Sequence, residues 1–289
     1  MDLIKAQSII SDKSQHIAKK MRALFFLRNI LTDESVKILC SSFNDKSVLL
    51  KHEVAYVLGQ MRLESSIDTL ISVLNNDQED EIVRHEAGEA LGNFMYRDDI
   101  VKALEKNSKC GRVPVEETCY LALQKIKENS DYISPCDSRD PALPLEGMDL
   151  EMAEKFFLDT KLCLYKKYQA MFYLRDLAMK GDKKSIDILG QGLKDKSSLF
   201  KHEISFVFGQ IRSIESVKYL VECMKKEEEH GMVRHECAEA LGIIGTEECL
   251  RELVKYQYSD CDILRESVEV AIDLHGYINT KEDIYCEVK

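Results

Sequence analysis

Apolar residues recur at every third or fourth position along most of the chain, the spacing that gives a helix one buried face. Short amphipathic runs such as SSIDTLISVLN (65–75) and ESVKYLVECM (215–224) alternate with longer apolar-periodic ones. The longer ones, RALFFLRN, KHEVAYVLGQ, RHEAGEALGN and EETCYLALQK, align at intervals of 31 to 33 residues. A period of that length predicts a solenoid of helix pairs rather than a coiled coil or a nucleotide-binding α/β fold.

A longer period encloses the short one. DKSVLLKHEVAYVLGQMR (45–62) and DKSSLFKHEISFVFGQIR (195–212) agree at 11 of 18 positions, and VRHEAGEALG (83–92) and VRHECAEALG (233–242) at eight of ten. The chain is therefore an internal duplication, with four helix pairs expected in each half. The pattern breaks over 128–150, which holds three of the four prolines, Pro135, Pro141 and Pro144. Proline cannot continue a helix, so this stretch is expected to be a linker between a first half, 1–127, and a second, 151–289. Gly59, Gly92, Gly209 and Gly242 each fall seven residues after a histidine. Glycine costs helix propensity, so a close helix approach or a helix end is expected at each.

Composition narrows the class. Hydrophobic content of 45% and charged content of 31% are ordinary for a globular protein. No run is long and apolar enough to cross a bilayer, and the first residues lack the apolar core of a signal peptide, so a cytoplasmic protein without membrane contact is expected. The ten cysteines contain no C-x-x-C pair, and most of them read as small apolar core residues. A net charge of −11 argues against nucleic acid as the partner and suits a basic one.

The candidate chemistry lies in four His-Glu pairs: His52-Glu53, His85-Glu86, His202-Glu203 and His235-Glu236. The two pairs of each half are 33 residues apart, and the halves are offset by 150. Tyr56 and Glu89 stand four residues after His52 and His85, so neither helix carries the single-helix zinc motif H-E-x-x-H. Ligands must instead come from adjacent repeats. Two imidazoles and one carboxylate per metal form the triad of non-haem iron, which leaves positions open for dioxygen or substrate. The surplus carboxylate of each half would bridge metals or bind a cationic substrate. Glu89 and Glu239, one turn after a histidine, are candidates to orient the imidazoles. His16, His230 and His275 read as ordinary surface or core residues. A partner-binding solenoid with structural zinc, and a different di-iron oxidase on the same scaffold, are the competing readings.

LLKHEVAYVLGQM, IVRHEAGEALG, LFKHEISFVFGQI and MVRHECAEALG resemble the signature segments of the deoxyhypusine hydroxylase family across nearly the whole chain. The resemblance implies an all-α, HEAT-like helical repeat solenoid whose eight helix pairs form two pseudo-symmetric halves. It implies a di-iron monooxygenase with two ferrous ions and O2 as co-substrate. That enzyme would hydroxylate the aminobutyl arm of deoxyhypusine in the precursor of eukaryotic translation initiation factor five-A, drawing on an external reductant. One iron would take His52, His85 and Glu86, and the other His202, His235 and Glu236. Glu53 and Glu203 would face the substrate amines as catalytic and substrate-binding residues, and Met232 would line the substrate site. Paired irons share small ligands at about 3.5–4 Å, so the two halves are expected to face each other.

Overall fold

A computed structural model describes residues 1–128 and 132–280. Residues 129–131 of the expected linker and 281–289 of the expected second half lie outside the described residues. Among the described residues there are sixteen α-helices, four short 3-10 turns and no strand. The expected all-α repeat solenoid of eight helix pairs is what the chain forms. It divides into two compact units between residues 131 and 132.

The first unit contains α1 (Leu3–Ser11), α2 (Ile17–Ile30), α3 (Asp33–Ser41), α4 (Val48–Met61), α5 (Ile67–Asn75), α6 (Glu81–Leu91), α7 (Asp98–Asn107) and α8 (Val113–Glu128). The second contains α9 (Leu150–Leu158), α10 (Leu164–Met179), α11 (Lys183–Gly192), α12 (Ser198–Ile211), α13 (Val217–Met224), α14 (Gly231–Ile244), α15 (Glu247–Leu253) and α16 (Asp262–Thr280). The second helices of successive pairs stack on one another: α2 on α4, α4 on α6 and α6 on α8, then α10 on α12 and α12 on α14. Each is covered on its other side by the first helix of its pair. Hence α4 buries Leu49, Leu50, Val54, Ala55, Val57 and Leu58 around most of its circumference.

The glycines permit this stacking. A Cβ on Gly59 would sit 2.7 Å from Ala90 of α6, and one on Gly242 would sit 2.6 Å from Ala271 of α16. Gly92, the C-cap of α6, comes equally close to Ala122 of α8. Gly209 is looser, with Ala240 at 3.5 Å.

Side-chain caps fix where the stacked helices begin. Ser47 and Ser197 accept from the backbone N–H groups of Leu50 and Phe200, both at 3.0 Å. Asp80 and His230 cap α6 and α14 by accepting from Ile82 and Met232. His230 thus has a definite structural task, as does His16 at the start of α2.

A line of half-buried cation–carboxylate pairs runs along each stack. Lys20 meets Asp45 at 2.6 Å and Lys51 meets Glu79 at 2.5 Å. In the second unit Lys167 meets Asp195, and Lys201 meets Glu229 at 2.5 Å. Burial alone would raise the carboxyls of Asp45 and Asp195. The lysine and the backbone N–H of the following cap serine more than offset this, holding both below the usual aspartate value.

The proline-bearing segment is non-helical over 132–149. It is also partly built into the second unit. Ser134, Ser138, Asp140, Ala142 and Met148 are buried, and Asp140 pairs with the fully buried guanidinium of Arg175 on α10. Arg175 in turn donates to Gln210 of α12 at 3.1 Å. Sequence reasoning read this stretch as a spacer and missed that packing.

Candidate metal centre

Each of the four histidines is the fifth residue of its helix, and each following glutamate is the sixth. The capped helix starts therefore place all four pairs at one depth, just past the first turn. Adjacent repeats stack equivalent helices side by side, so equivalent positions meet. Ring centroids of His52 and His85 lie 5.5 Å apart, and those of His202 and His235 lie 5.4 Å apart. The duplication has kept the local geometry of both half-sites.

In the first unit the donor atoms of His52, His85 and Glu86 all lie within 4.8 Å of one another, and all three residues are buried. His52 Nε2 is 3.4 Å from Glu86 Oε2. Two ligands of one ion with bonds of about 2.1 Å are separated by about 3.0 to 4.2 Å, so this spacing suits a shared cation. The other ring nitrogen, His52 Nδ1, is 3.1 Å from Glu53 Oε1. A carboxylate at Nδ1 favours the tautomer protonated there, which leaves the Nε2 lone pair to face Glu86 and a metal.

Two carboxylates, Glu53 and Glu86, are buried beside one imidazole. Burial pushes His52 toward its neutral form. Contact with Glu53 and Glu86 outweighs burial and holds its pKa well above the ordinary imidazole value. Buried carboxylates need a compensating positive charge. A divalent cation held between His52 and Glu86 would supply it.

The second unit repeats part of this arrangement. His202 Nε2 is 3.4 Å from Glu236 Oε2, the same separation as in the first. Glu203 is buried beside His202 in sequence, as Glu53 is beside His52. One further group enters here. Glu239 Oε1 is 3.5 Å from His235 Nδ1, and it accepts from Ser267 Oγ of α16 at 3.1 Å. Donor atoms of His235, Glu236 and Glu239 also lie within 4.8 Å of one another. Glu239 faces His235 from one turn further along the same helix. Met232 is fully buried, the second residue of α14 and three before His235.

Comparison with known proteins places this geometry in context. HEAT repeats match residues 7–92 and 186–273. The chain is 40% identical over 296 residues to the deoxyhypusine hydroxylase of Danio rerio, covering 99% of this chain and 95% of that protein. It is 37% identical over 286 residues to that of Drosophila melanogaster, covering 96% and 93%. A solved structure of human deoxyhypusine hydroxylase in complex with glycerol superposes with a TM-score of 0.90 at 35% identity, covering 95% of this chain and 96% of that one.

Proposed function

The chain belongs to the deoxyhypusine hydroxylase family and is a monooxygenase that hydroxylates deoxyhypusine, and we propose that each of its two His-Glu half-sites holds one iron for that reaction. The observation that carries the proposal is the buried cluster of His52, His85 and Glu86, whose donors lie close enough to share one ion. Its counterpart is His202, His235 and Glu236, with the same 3.4 Å imidazole–carboxylate separation. Zinc would fit the donors but has no redox chemistry. Hydroxylation consumes dioxygen, so a redox-active metal is required, and an imidazole–carboxylate set suits ferrous iron.

Iron supplies the activation of dioxygen, with one oxygen atom going to the substrate carbon and the other to water. That balance takes two electrons and two protons from an external reductant. The chain's own residues do the rest. Glu53 contacts His52 Nδ1 at 3.1 Å, which leaves Nε2 to bind a metal, and Glu239 lies 3.5 Å from His235 Nδ1. Glu53 and Glu203, which the ligand triplets do not use, receive the cationic amines of the deoxyhypusine arm. A buried carboxylate binds an ammonium strongly because water does not compete. Met232 contributes apolar wall at the start of α14. The substrate protein is the precursor of translation initiation factor five-A, and the acidic net charge of −11 favours approach of a basic loop. No helix among the described residues is long and apolar enough to cross a membrane, and a cytoplasmic site of action is proposed with the substrate.

Incubation of the iron-loaded protein with deoxyhypusine-bearing factor, dioxygen and reductant should yield hypusine, with about two irons bound per chain in the two half-sites. A protein that binds zinc but no iron, or that forms no hypusine when iron-loaded, would return the reading to a structural-metal binding module.

A further inference from the structure

Every ligand-bearing helix carries a cation one residue before its histidine: Lys51, Arg84, Lys201 and Arg234, each the fourth residue of its helix. A cation there opposes the helix dipole, by about 0.3–1 kcal/mol at an exposed site, so each must be compensated from elsewhere. The arginines bond their own repeat through Nε, and Arg84 Nη2 also donates to Asn107 Oδ1 of the next repeat at 3.0 Å. Arg84 Nε donates to the carbonyl of Leu74 at 3.1 Å, and Arg234 Nε to that of Met224 at 3.0 Å.

The lysines reach across to the next repeat. Lys51 Nζ donates to Glu79 Oε1 at 2.5 Å, and that oxygen also accepts the backbone N–H of Asp80 at 2.8 Å. Asp80 is the N-cap of α6, five residues before His85. In the second unit Lys201 donates to Glu229 Oε2 at 2.5 Å. Glu229 Oε1 accepts the backbone N–H of His230 at 2.9 Å, and His230 is the N-cap of α14, five residues before His235. One half-buried carboxylate thus ties the residue beside the first histidine of each half to the cap that starts the helix bearing the second.

We infer that Lys51 with Glu79, and Lys201 with Glu229, are positioning residues that set the spacing of the two histidine ligands within each half-site. The inference rests on the metal reading proposed above. The scaffold contains its own control. Lys20–Asp45 and Lys167–Asp195 are the same kind of tie in the same register. Yet the helices that carry those lysines have Met21-Arg22 and Tyr168-Gln169 where the others have His-Glu. The ladder is general to the fold, and only at the Lys51 and Lys201 rungs does it join two ligand-bearing helices. Both of those rungs hold the same interimidazole distance, 5.5 and 5.4 Å.

Cobalt(II) is the probe, because its visible absorption reports ligand geometry without turnover. Wild type, Lys51→Met, Lys201→Met, Glu79→Gln and Lys167→Met would be titrated with Co2+ at a temperature where far-UV circular dichroism shows each folded. Lys51→Met and Lys201→Met should bind one of the two Co2+ at least about ten-fold more weakly, with an altered spectrum for that ion, the size of loss typical of groups that orient ligands. Glu79→Gln keeps the side-chain volume and an oxygen for the Asp80 N–H, and should show the same change in milder form. It decides the matter should Lys51→Met not fold. Lys167→Met should lose thermal stability yet keep the wild-type affinity and spectrum. Wild-type Co2+ binding in Lys51→Met, Lys201→Met and Glu79→Gln, or an equal loss in Lys167→Met, overturns the inference. A wild-type protein that binds no Co2+ overturns the metal reading itself, in an arm that does not involve either lysine.

Discussion

Glu53 touches its own neighbour, His52, through one oxygen, and this decides what its removal does. Replacing His52, His85, His202 or His235 by alanine takes away a proposed imidazole ligand, and iron should be lost from that half-site. Glu53→Ala and Glu203→Ala should abolish hydroxylation while retaining iron when it is supplied in excess. For Glu53→Ala an affinity loss of about 10- to 100-fold is expected, because the imidazole loses its orienting acceptor. Metal analysis beside hypusine analysis separates the two classes. Iron-poor Glu53→Ala and Glu203→Ala proteins, as empty as the histidine variants, would make those glutamates ligands instead. A second residue-scale expectation concerns Asp45, whose carboxyl is held below its ordinary value by Lys20. A depressed folded-state pKa means the pair stabilises the protein above the unfolded pKa of about 3.9 and is lost as pH falls through the lower, folded value. Asp45→Asn should therefore cost about 1–3 kcal/mol near neutral pH, and its difference from wild type should shrink below pH of about 4. Urea unfolding at pH 7 and pH 3 checks both parts. The His-Glu pairs were legible in the sequence because two nested periods repeat them. The lysine ties were not, since Lys51 finds its carboxylate 28 residues away in a loop and nothing local marks Glu79 as its partner.

At the scale of the helix, the glycines separate into two kinds that look alike in sequence. Gly59 and Gly242 lie against neighbouring alanines with no room for a Cβ, while Gly209 has ordinary van der Waals space. Gly59→Ala and Gly242→Ala should destabilise by about 1–3 kcal/mol, as overpacking does. Gly209→Ala should be neutral or stabilising by up to about 1 kcal/mol through helix propensity. Chemical denaturation of the three variants tests the distinction, and a destabilised Gly209→Ala would contradict it. The helix pairs themselves were legible because each second helix repeats its apolar pattern every 31 to 33 residues. The difference among the glycines was not, because it depends on a few tenths of an ångström in how adjacent helices seat.

For the molecule as a whole, the proline-bearing segment after α8 does more than connect. Asp140 from that segment and Arg175 from α10 are both fully buried, and burial would lower the basicity of Arg175 were Asp140 not beside it. Asp140→Ala leaves that guanidinium without its main counter-charge. It should cost about 3–5 kcal/mol, the usual penalty for breaking a buried pair from one side. A melt of the variant would show it, and a shift within error of zero would mean that the second unit does not depend on the segment. Prolines made the break in helix legible. The partnership of Asp140 with Arg175 spans 35 residues outside any repeat, so no periodicity could reveal it.

The shared position of the histidines, fifth in every helix, also governs which changes of chain length the enzyme tolerates. One residue inserted between Ser47 and His52 turns the imidazole by about 100° around the helix axis and moves it 1.5 Å along, taking it out of reach of Glu86. The same residue inserted ahead of the cap only lengthens a loop, at a small entropic cost. The four windows from a cap residue to the glutamate six positions on should therefore be far less tolerant of insertion than the loops ahead of them. Systematic single-residue insertion from 42 to 53, scored by hypusine formation, should show a sharp loss beginning at the Ser47 cap.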